Sequence, residues 1–343
     1  MKIYFRADAN SQIGWGHVVR SMALANILCD DENSIFESIF LVQNPSVTLQ
    51  NQIKEKFELI ILQETNDFLE EAHFITQKYL QDKSIIVLDH YQIQTKYQRI
   101  IKSNSNSKIV CIDDMNSWHF LADIIINHGG NKTEKYSCES YTKLLVGTEY
   151  ALLRQPFLKA ALKKREIKKI ETVFICFGGA DIDNLTNKAI ELALNFDFIK
   201  KINVVVTNDF PFLEELHKLI SEYSTINIYQ NLDAQKMASL MQNSDLAFAP
   251  ASSLSLELLA TQPFMILGKS ADNQATIYQG LISYPQIKEI GEWQNLNWNK
   301  LKSEFSQICK HFCFETKTII PNLAPSEIKK EFENLYQNLK INN

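Results

Sequence analysis

The chain has 343 residues, 45% of them hydrophobic and 22% charged, with a net charge of −5 at neutral pH. That is enough polypeptide for two ordinary domains with separate cores, and it excludes a disordered chain. The negative balance gives no general attraction for nucleic acid or anionic membrane, and no run of about 18 apolar residues exists to span a bilayer.

The chain opens with KIYFRAD (2–8), which predicts a buried strand, followed by the glycine turn SQIGWGHVVR (11–20). HVVRSMALANILCD (17–30) then has a helical period, with Val18, Met22, Ala25 and Leu28 or Cys29 on one face. His17 therefore falls at or beside a helix N-terminus, in the loop that leaves strand one. Open α/β sheets place their ligands there. Gly14 and Gly16 allow a tight turn and close backbone approach, and the helix that follows offers free N–H groups to an anion. A neutral imidazole at this point suits a general base acting on a phosphorylated substrate, with Arg20 close by; the alternative is a histidine that only caps the helix. The loop is not a dinucleotide fingerprint, because G-x-G-H lacks the third glycine.

Strand-like runs follow at 34–42, 57–62, 84–89, 108–113 and 123–127, with helical stretches at 66–81 and 94–103. Such alternation implies parallel βαβ units. Two strand ends carry polar groups: LDHYQ (88–92) with Asp89, His90 and Tyr91, and CIDDMN (111–116) with Asp113 and Asp114. Aspartates after parallel strands either anchor loops or bind sugar hydroxyls. The lysine-rich segment 157–170 reads as a linker or inter-domain helix, dividing a first domain (1–156) from a second (171–343) that ends in helices.

The second series has strands at 171–177, 201–207, 225–230, 245–250 and 264–268, with helices at 184–195, 211–222, 233–242, 254–261 and 272–281. From about 298 onward the chain reads as helical. FICFGGADIDN (174–184) repeats the first-domain logic: Gly178 and Gly179 admit a diphosphate, and Asn184 is the expected helix cap. The Asp181–Asp183 pair resembles a metal-binding couple, but capping explains it more simply. In APASSLSLELLA (250–261), Ser252 and Ser253 are placed to donate to phosphate, and Glu257 in the first helical turn to grip ribose hydroxyls or balance the dipole. Asn273 and Gln274 in KSADNQ (269–274) bind sugar or phosphate oxygens, or cap the next helix. CKHFC (309–313) has two thiols and a histidine but no second ligand pair nearby, so no metal is expected. The six scattered cysteines fit a cytoplasmic, disulfide-free protein without a leader. The architecture expected is α/β, two Rossmann-like domains with a ligand cleft between them.

Together these motifs resemble one family. RADANSQIGWGHVVRSMALA, VLDHYQ, CIDDMNSWHFLADIIIN, GTEYALLRQPF, FICFGGADIDNLT, ASSLSLE and ADNQ stand in the order seen in the UDP-sugar hydrolases of the pseudaminic acid pathway, over about residues 3–280. The resemblance implies a GT-B-like fold and metal-independent, cofactor-free, inverting hydrolysis of UDP-2,4-diacetamido-2,4,6-trideoxy-β-L-altropyranose. It implies that His17 is the catalytic histidine, that Tyr91 lies on the sugar side, and that Glu257 and Asn273 lie in the nucleotide pocket and cleft. Gly14, Gly16, Arg20, Asp89, Gly178, Gly179, Ser252, Ser253 and Gln274 complete the expected substrate contacts. Ser252 and Gln92 stand where the family usually has glycine. The other readings are a UDP-sugar glycosyltransferase of the same architecture, and a nucleotide-sugar binder without catalysis.

Overall fold

The computed structural model describes residues 1–9, 14–29, 34–130, 135–178, 181–208 and 210–341. They form two compact units, Met1–Arg154 with Leu323–Asn343, and Gln155–Asn322. Each holds one parallel sheet with helices.

In the first unit the strands are β1 (Lys2–Ala7), β2 (Glu37–Gln43), β3 (Glu58–Leu62), β4 (Ile85–Asp89), β5 (Lys108–Ile112), β6 (Ile124–Asn127) and β7 (Lys143–Val146). Their order is β3-β2-β1-β4-β5-β6-β7. All neighbours run parallel. The central strands are covered on both faces, which is why β4 and β6 are buried at every position and read as unbroken apolar runs. Helices α1 (Gly16–Leu28), α2 (Val47–Lys54), α3 (Phe68–Tyr79) and α4 (Thr95–Asn104) connect them. Ile75, Tyr97 and Ile101 from α3 and α4 pack with Leu41, Ile86, Leu88, Ile109 and Ile125 in one cluster.

The second unit has β8 (Thr172–Ile175), β9 (Lys201–Val206), β10 (Ile226–Gln230), β11 (Leu246–Pro250), β12 (Phe264–Lys269) and β13 (Ile287–Glu292), in the order β10-β9-β8-β11-β12-β13. These are also parallel throughout. Its helices are α5 (Gln155–Ala161), α6 (Leu185–Leu194), α7 (Leu213–Glu222), α8 (Ala234–Gln242), α9 (Ser253–Thr261), α10 (Ala275–Leu281) and α11 (Trp298–Glu315). Phe305 and Phe312 of α11 join Phe248, Phe264 and Ile266 in its core.

In both sheets the order in which strands are added therefore reverses once, between β1 and β4 and between β8 and β11. The loops leaving those four strands diverge, and each divergence leaves room for a ligand.

Three expectations change. Residues 157–170 are not a free linker: α5 packs on α8 and α9, burying Phe157 and Ala160. Arg165 further fixes this segment by donating to the Ser244 carbonyl at 2.5 Å and pairing with Asp245 at 3.0 Å. The helical tail breaks after Glu315, and α12 (Pro325–Ile341) belongs to the first unit, not the second. Ile328, Phe332, Leu335 and Leu339, spaced 4, 3 and 4, form its buried stripe. Its start is held by the Ala324 amide donating to the Glu149 carbonyl at 2.9 Å. Finally, β7, β13 and α2 were not predicted. β7 is short and half-exposed, and β13 is an edge strand whose charged residues obscure its period.

Candidate active site

At the first switch point, Gly14 adopts φ +71°, open to glycine but costly for other residues, and α1 starts two residues later. No side chain caps α1, whose second residue is His17, as the sequence predicted. Neighbouring β4 delivers Asp89 to the same end of the sheet. His17 Nδ1 lies 2.6 Å from Asp89 Oδ1. Arg20, one turn along α1, donates Nε to Asp89 Oδ2 at 2.7 Å and Nη2 to Oδ1 at 2.5 Å. Its Nη1 reaches Asp114 Oδ2 at 2.7 Å. Ser21 adds a long contact to Asp89 at 3.4 Å.

Asp89 is 0% exposed and Arg20 5%. Burial alone would raise the Asp89 pKa, but the Arg20 charge, with His17 and their hydrogen bonds, overrides it and holds the group far below the usual carboxylate range. Burial opposes the Arg20 charge too, and Asp89 and Asp114 more than restore it. The carboxylate is thus a permanent anion, and it fixes the histidine tautomer. An acceptor oxygen at 2.6 Å requires the proton on Nδ1, leaving the lone pair on Nε2. Nε2 has no hydrogen-bond partner among the described residues. Arg20 and Asp89, expected as substrate contacts, bond each other and His17. Tyr91 meets His17 edge-on at 4.6 Å, and its hydroxyl lies 3.4 Å from Asp114 Oδ2.

A second ion network underlies this one and was not anticipated. Arg6, fully buried in β1, donates to both Glu71 oxygens at 2.8 and 2.9 Å and pairs with Asp8 at 2.6 Å. Tyr97 donates to Glu71 Oε1 at 3.0 Å, and Gln43 donates to Oε2. The signal was in view: an arginine and an aspartate within an apolar strand need buried partners. His128, just after β6, was also missed. It is 1% exposed and accepts the Leu152 amide on Nδ1 at 3.4 Å. Burial and the Arg20 charge push its pKa down to about 4. Asp113 is pushed the other way, to about 6, by burial and by Asp114, against backbone hydrogen bonds from Asn116 and Met115.

The second switch point is built differently. Gly178 adopts φ +84°, and nothing lies within 4 Å of where a Cβ would stand. Gly179 lies outside the described residues. Phe177 is held against Trp293 at 4.8 Å, which anchors the loop base. The cap of α6 is Asp181, accepting the amides of Leu185 and Thr186 at 2.9 Å each, and not Asn184. Asn184 is left-handed at φ +52° and donates to Glu215. Ser252 precedes α9, whose first turn has no side-chain cap. Because α9 starts at Ser253, Glu257 sits in its second turn and is 7% exposed, too far along for dipole balance to explain it. Gln274 folds back on Ser270, accepting its amide at 2.8 Å and donating to its hydroxyl at 3.1 Å, while Asn273 is exposed. The CKHFC thiols and histidine do not converge: Cys309 is buried, while His311 is exposed and paired with Glu315.

No family model matches the chain. It is 30% identical over 268 residues, 76% of its length, to the UDP-2,4-diacetamido-2,4,6-trideoxy-β-L-altropyranose hydrolase of Campylobacter jejuni, of which it covers 88%. It is also 30% identical over 279 residues to the uncharacterised protein MJ1062 of Methanocaldococcus jannaschii, but spans only 55% of that relative. Among solved structures, Acinetobacter baumannii MurG has a TM-score of 0.63 at 12% identity, covering 97% of this chain and 99% of its own. Staphylococcus aureus MnaA with UDP gives 0.63 at 12%, covering 98% and 97%. The fold is that of GT-B enzymes, with two Rossmann-like halves. By its identity and coverage, the chain belongs to the family of the UDP-2,4-diacetamido-2,4,6-trideoxy-β-L-altropyranose hydrolases.

Proposed function

We propose that this protein hydrolyses a UDP-linked diacetamido-trideoxyhexose, UDP-2,4-diacetamido-2,4,6-trideoxy-β-L-altropyranose, to free sugar and UDP in the supply of pseudaminic acid. The observation that carries the mechanism is the 2.6 Å contact between His17 Nδ1 and Asp89 Oδ1. With its proton fixed on Nδ1, His17 takes a proton from water through Nε2. The water oxygen bonds to the anomeric carbon as the C1–O bond breaks, and that electron pair leaves on the diphosphate. Attack from the face opposite the leaving group inverts C1. Asp89 stabilises the imidazolium that forms, and Arg20 keeps Asp89 ionised and in place.

The diphosphate-binding role is assigned to the second unit. The backbone at Gly178 and the uncapped first turn of α9, beside Ser252 and Ser253, supply N–H groups and a helix dipole without a cation. Asp181 caps α6, which supports the reading of a reaction without metal. Glu257 takes the ribose hydroxyls, Asn273 takes sugar or phosphate oxygens, Tyr91 faces the sugar, and the small-molecule partner is the UDP-sugar alone, with no nucleic acid and no membrane insertion. No helix among the described residues is long and apolar enough to cross a membrane; the proposed setting is the cytoplasm.

The test is UDP release from the diacetamido nucleotide in ¹⁸O-water, with excess EDTA, with and without candidate acceptor sugars. Release without acceptor and label on the sugar, not on UDP, is expected. Strict dependence on an acceptor would make the protein a transferase. Loss in EDTA with recovery on magnesium would overturn the metal-free reading.

A further inference from the structure

β3 is an edge strand: it pairs with β2 on one side, and among the described residues no strand pairs with its outer side. Such an edge offers unpaired backbone N–H and C=O groups to any second strand, and proteins blunt it with short length, bulges or charge. The other edges here are blunted. β7 is four residues long, and its Lys143 pairs with Glu331 of α12 at 3.4 Å. β13 carries Lys288, Glu289 and Glu292, and its register with β12 shifts after Leu267. β10 is polar at Asn227 and Gln230. β3 reads ELIIL, and its one charge, Glu58, is its first residue. Ile61 is 50% exposed, and Leu59 and Ile60 are half-buried.

The residues around this edge indicate what covers it. A two-fold axis perpendicular to a sheet pairs an edge strand antiparallel with its own copy and keeps every side chain on its own face. Such an axis passes through a single residue position. With Ile60, the middle of β3, on the axis, Ile60 meets its own copy, Leu59 meets Ile61, and Glu58 meets Leu62. Lys56, two residues before the strand, then meets Glu64, two residues after it, and does so twice. Opposite charges directly across a strand pair are favourable and like charges are not. Moving the axis to Ile61 sets Glu58 against Glu64. Moving it to Leu59 sets Lys56 against Leu62 and breaks both ion pairs. Lys56 and Glu64 have neutral hydrogen-bond partners within the chain, the Asn26 side-chain oxygen at 3.3 Å and the Asn44 side-chain amide at 3.4 Å, and both contacts are exposed. The edge is thus self-complementary in shape and in charge.

We propose that this protein forms a two-fold homodimer through β3, in which the seven-stranded sheets of two copies join into one continuous sheet across Ile60, closed at both ends by Lys56–Glu64 ion pairs. Leu59 and Ile61 of the two copies make an apolar row on one face of the junction, and Ile60 lies at its centre on the other. The interface takes no part in the hydrolase reading and does not depend on it.

The experiment is sedimentation velocity with light scattering on the full chain over a range of concentrations. Wild type should show a monomer–dimer equilibrium. Ile61→Lys places a charge on the open edge at a half-exposed position, and it should be monomeric with a wild-type circular dichroism spectrum. Lys56→Glu and Glu64→Lys each set like charges against each other at both ends, and each should weaken dimerisation by about 2- to 30-fold. Mixed in equal amounts, these two variants should regain the wild-type affinity as a heterodimer, because every charge then meets its opposite. The double variant Lys56→Glu with Glu64→Lys should regain it alone. That rescue belongs to the register centred on Ile60. A wild type that stays monomeric, a dimer that Ile61→Lys leaves intact, or charge variants that mixing does not rescue would each overturn the proposal. So would particles that grow beyond a dimer, the mark of an unspecific edge or a different contact. Should Ile61→Lys fail to fold, the exposed charge variants decide the matter.

Discussion

The two switch points share a topology and differ in chemistry. The one between β1 and β4 is paved with buried ionic groups: Arg6, Asp8, His17, Arg20, Asp89 and Asp114 all lie below a tenth exposed. The one between β8 and β11 relies on a left-handed glycine, small side chains and helix ends, with two buried carboxylates, Asp181 and Glu257. Buried charges in fixed pairs hold one side chain in one orientation and one protonation state, which reaction requires. Backbone donors hold a constant anion with little reorganisation, which binding and leaving-group stabilisation require. Under the proposed function, one fold element, used twice, is divided between moving a proton and carrying a diphosphate.

The division is broken most sharply at His17. His17→Ala should lower turnover by about 10²- to 10⁴-fold, the usual worth of a general base, while UDP affinity measured by calorimetry stays as in wild type. A parallel loss of both would mean that the first switch point also holds the nucleotide. Next in size is Asp89→Leu. With Arg20 left buried beside Asp114 alone, unfolding free energy in denaturant should fall by about 3–5 kcal/mol. Arg20→Met should cost a similar amount, and the double variant much less than the two together, because the penalty is that of an unpaired charge. Additive losses would show that packing, not pairing, gives these residues their role.

The reciprocal test lies in the other unit. Glu257→Ala should weaken UDP binding by about 1.5–3 kcal/mol, the worth of a charged hydrogen bond, and change turnover at saturating substrate little. Unchanged UDP affinity would return Glu257 to the packing of α9.

The frame of both units was legible because buried parallel strands write themselves as apolar runs. IIVLD (85–89) and LAFAP (246–250) are buried at every position, and the polar residues at their ends mark the site. His17, Asp89 and Tyr91 were singled out as polar groups at strand ends, and the fold brings them into contact. What the sequence hid was pairing across it. Arg20 and Asp89 are 69 residues apart, Arg20 and Asp114 are 94, and no local pattern says that these groups meet each other before they meet a ligand. Caps misled by one turn: Asp181 reaches forward to Leu185 and Thr186 through a left-handed Asn184, so the adjacent asparagine was the wrong choice. The return of α12 to the first unit was hidden because an amphipathic stripe states that a helix is covered, not by what.

The finest probe of the comparison is the carboxylate that the ion network leaves aside. Asp113 is 4% exposed and next to Asp114, yet Arg20 bonds Asp114, while Asp113 accepts backbone amides, that of Asn116 on Oδ2 at 2.7 Å and that of Met115. Burial and the Asp114 charge raise its pKa to about 6, against about 3.9 for an unfolded chain. The folded protein therefore holds this proton more tightly than the unfolded one. That contribution is complete below about pH 4, fades as pH rises through 6, and above that leaves a constant penalty no larger than about 3 kcal/mol. Asp113→Asn removes the charge and keeps an acceptor for the Asn116 amide, but adds an NH₂ that needs its own partner. The net gain should be on the order of 1 kcal/mol at pH 7.5 and close to zero at pH 4.5, read as melting temperature relative to wild type at each pH. Asp114→Asn, by contrast, should destabilise at pH 7.5, because it withdraws a charge from Arg20. If both substitutions destabilise equally at both pH values, the carboxylates at this switch point act through shape, and its contrast with the backbone-lined one is not electrostatic.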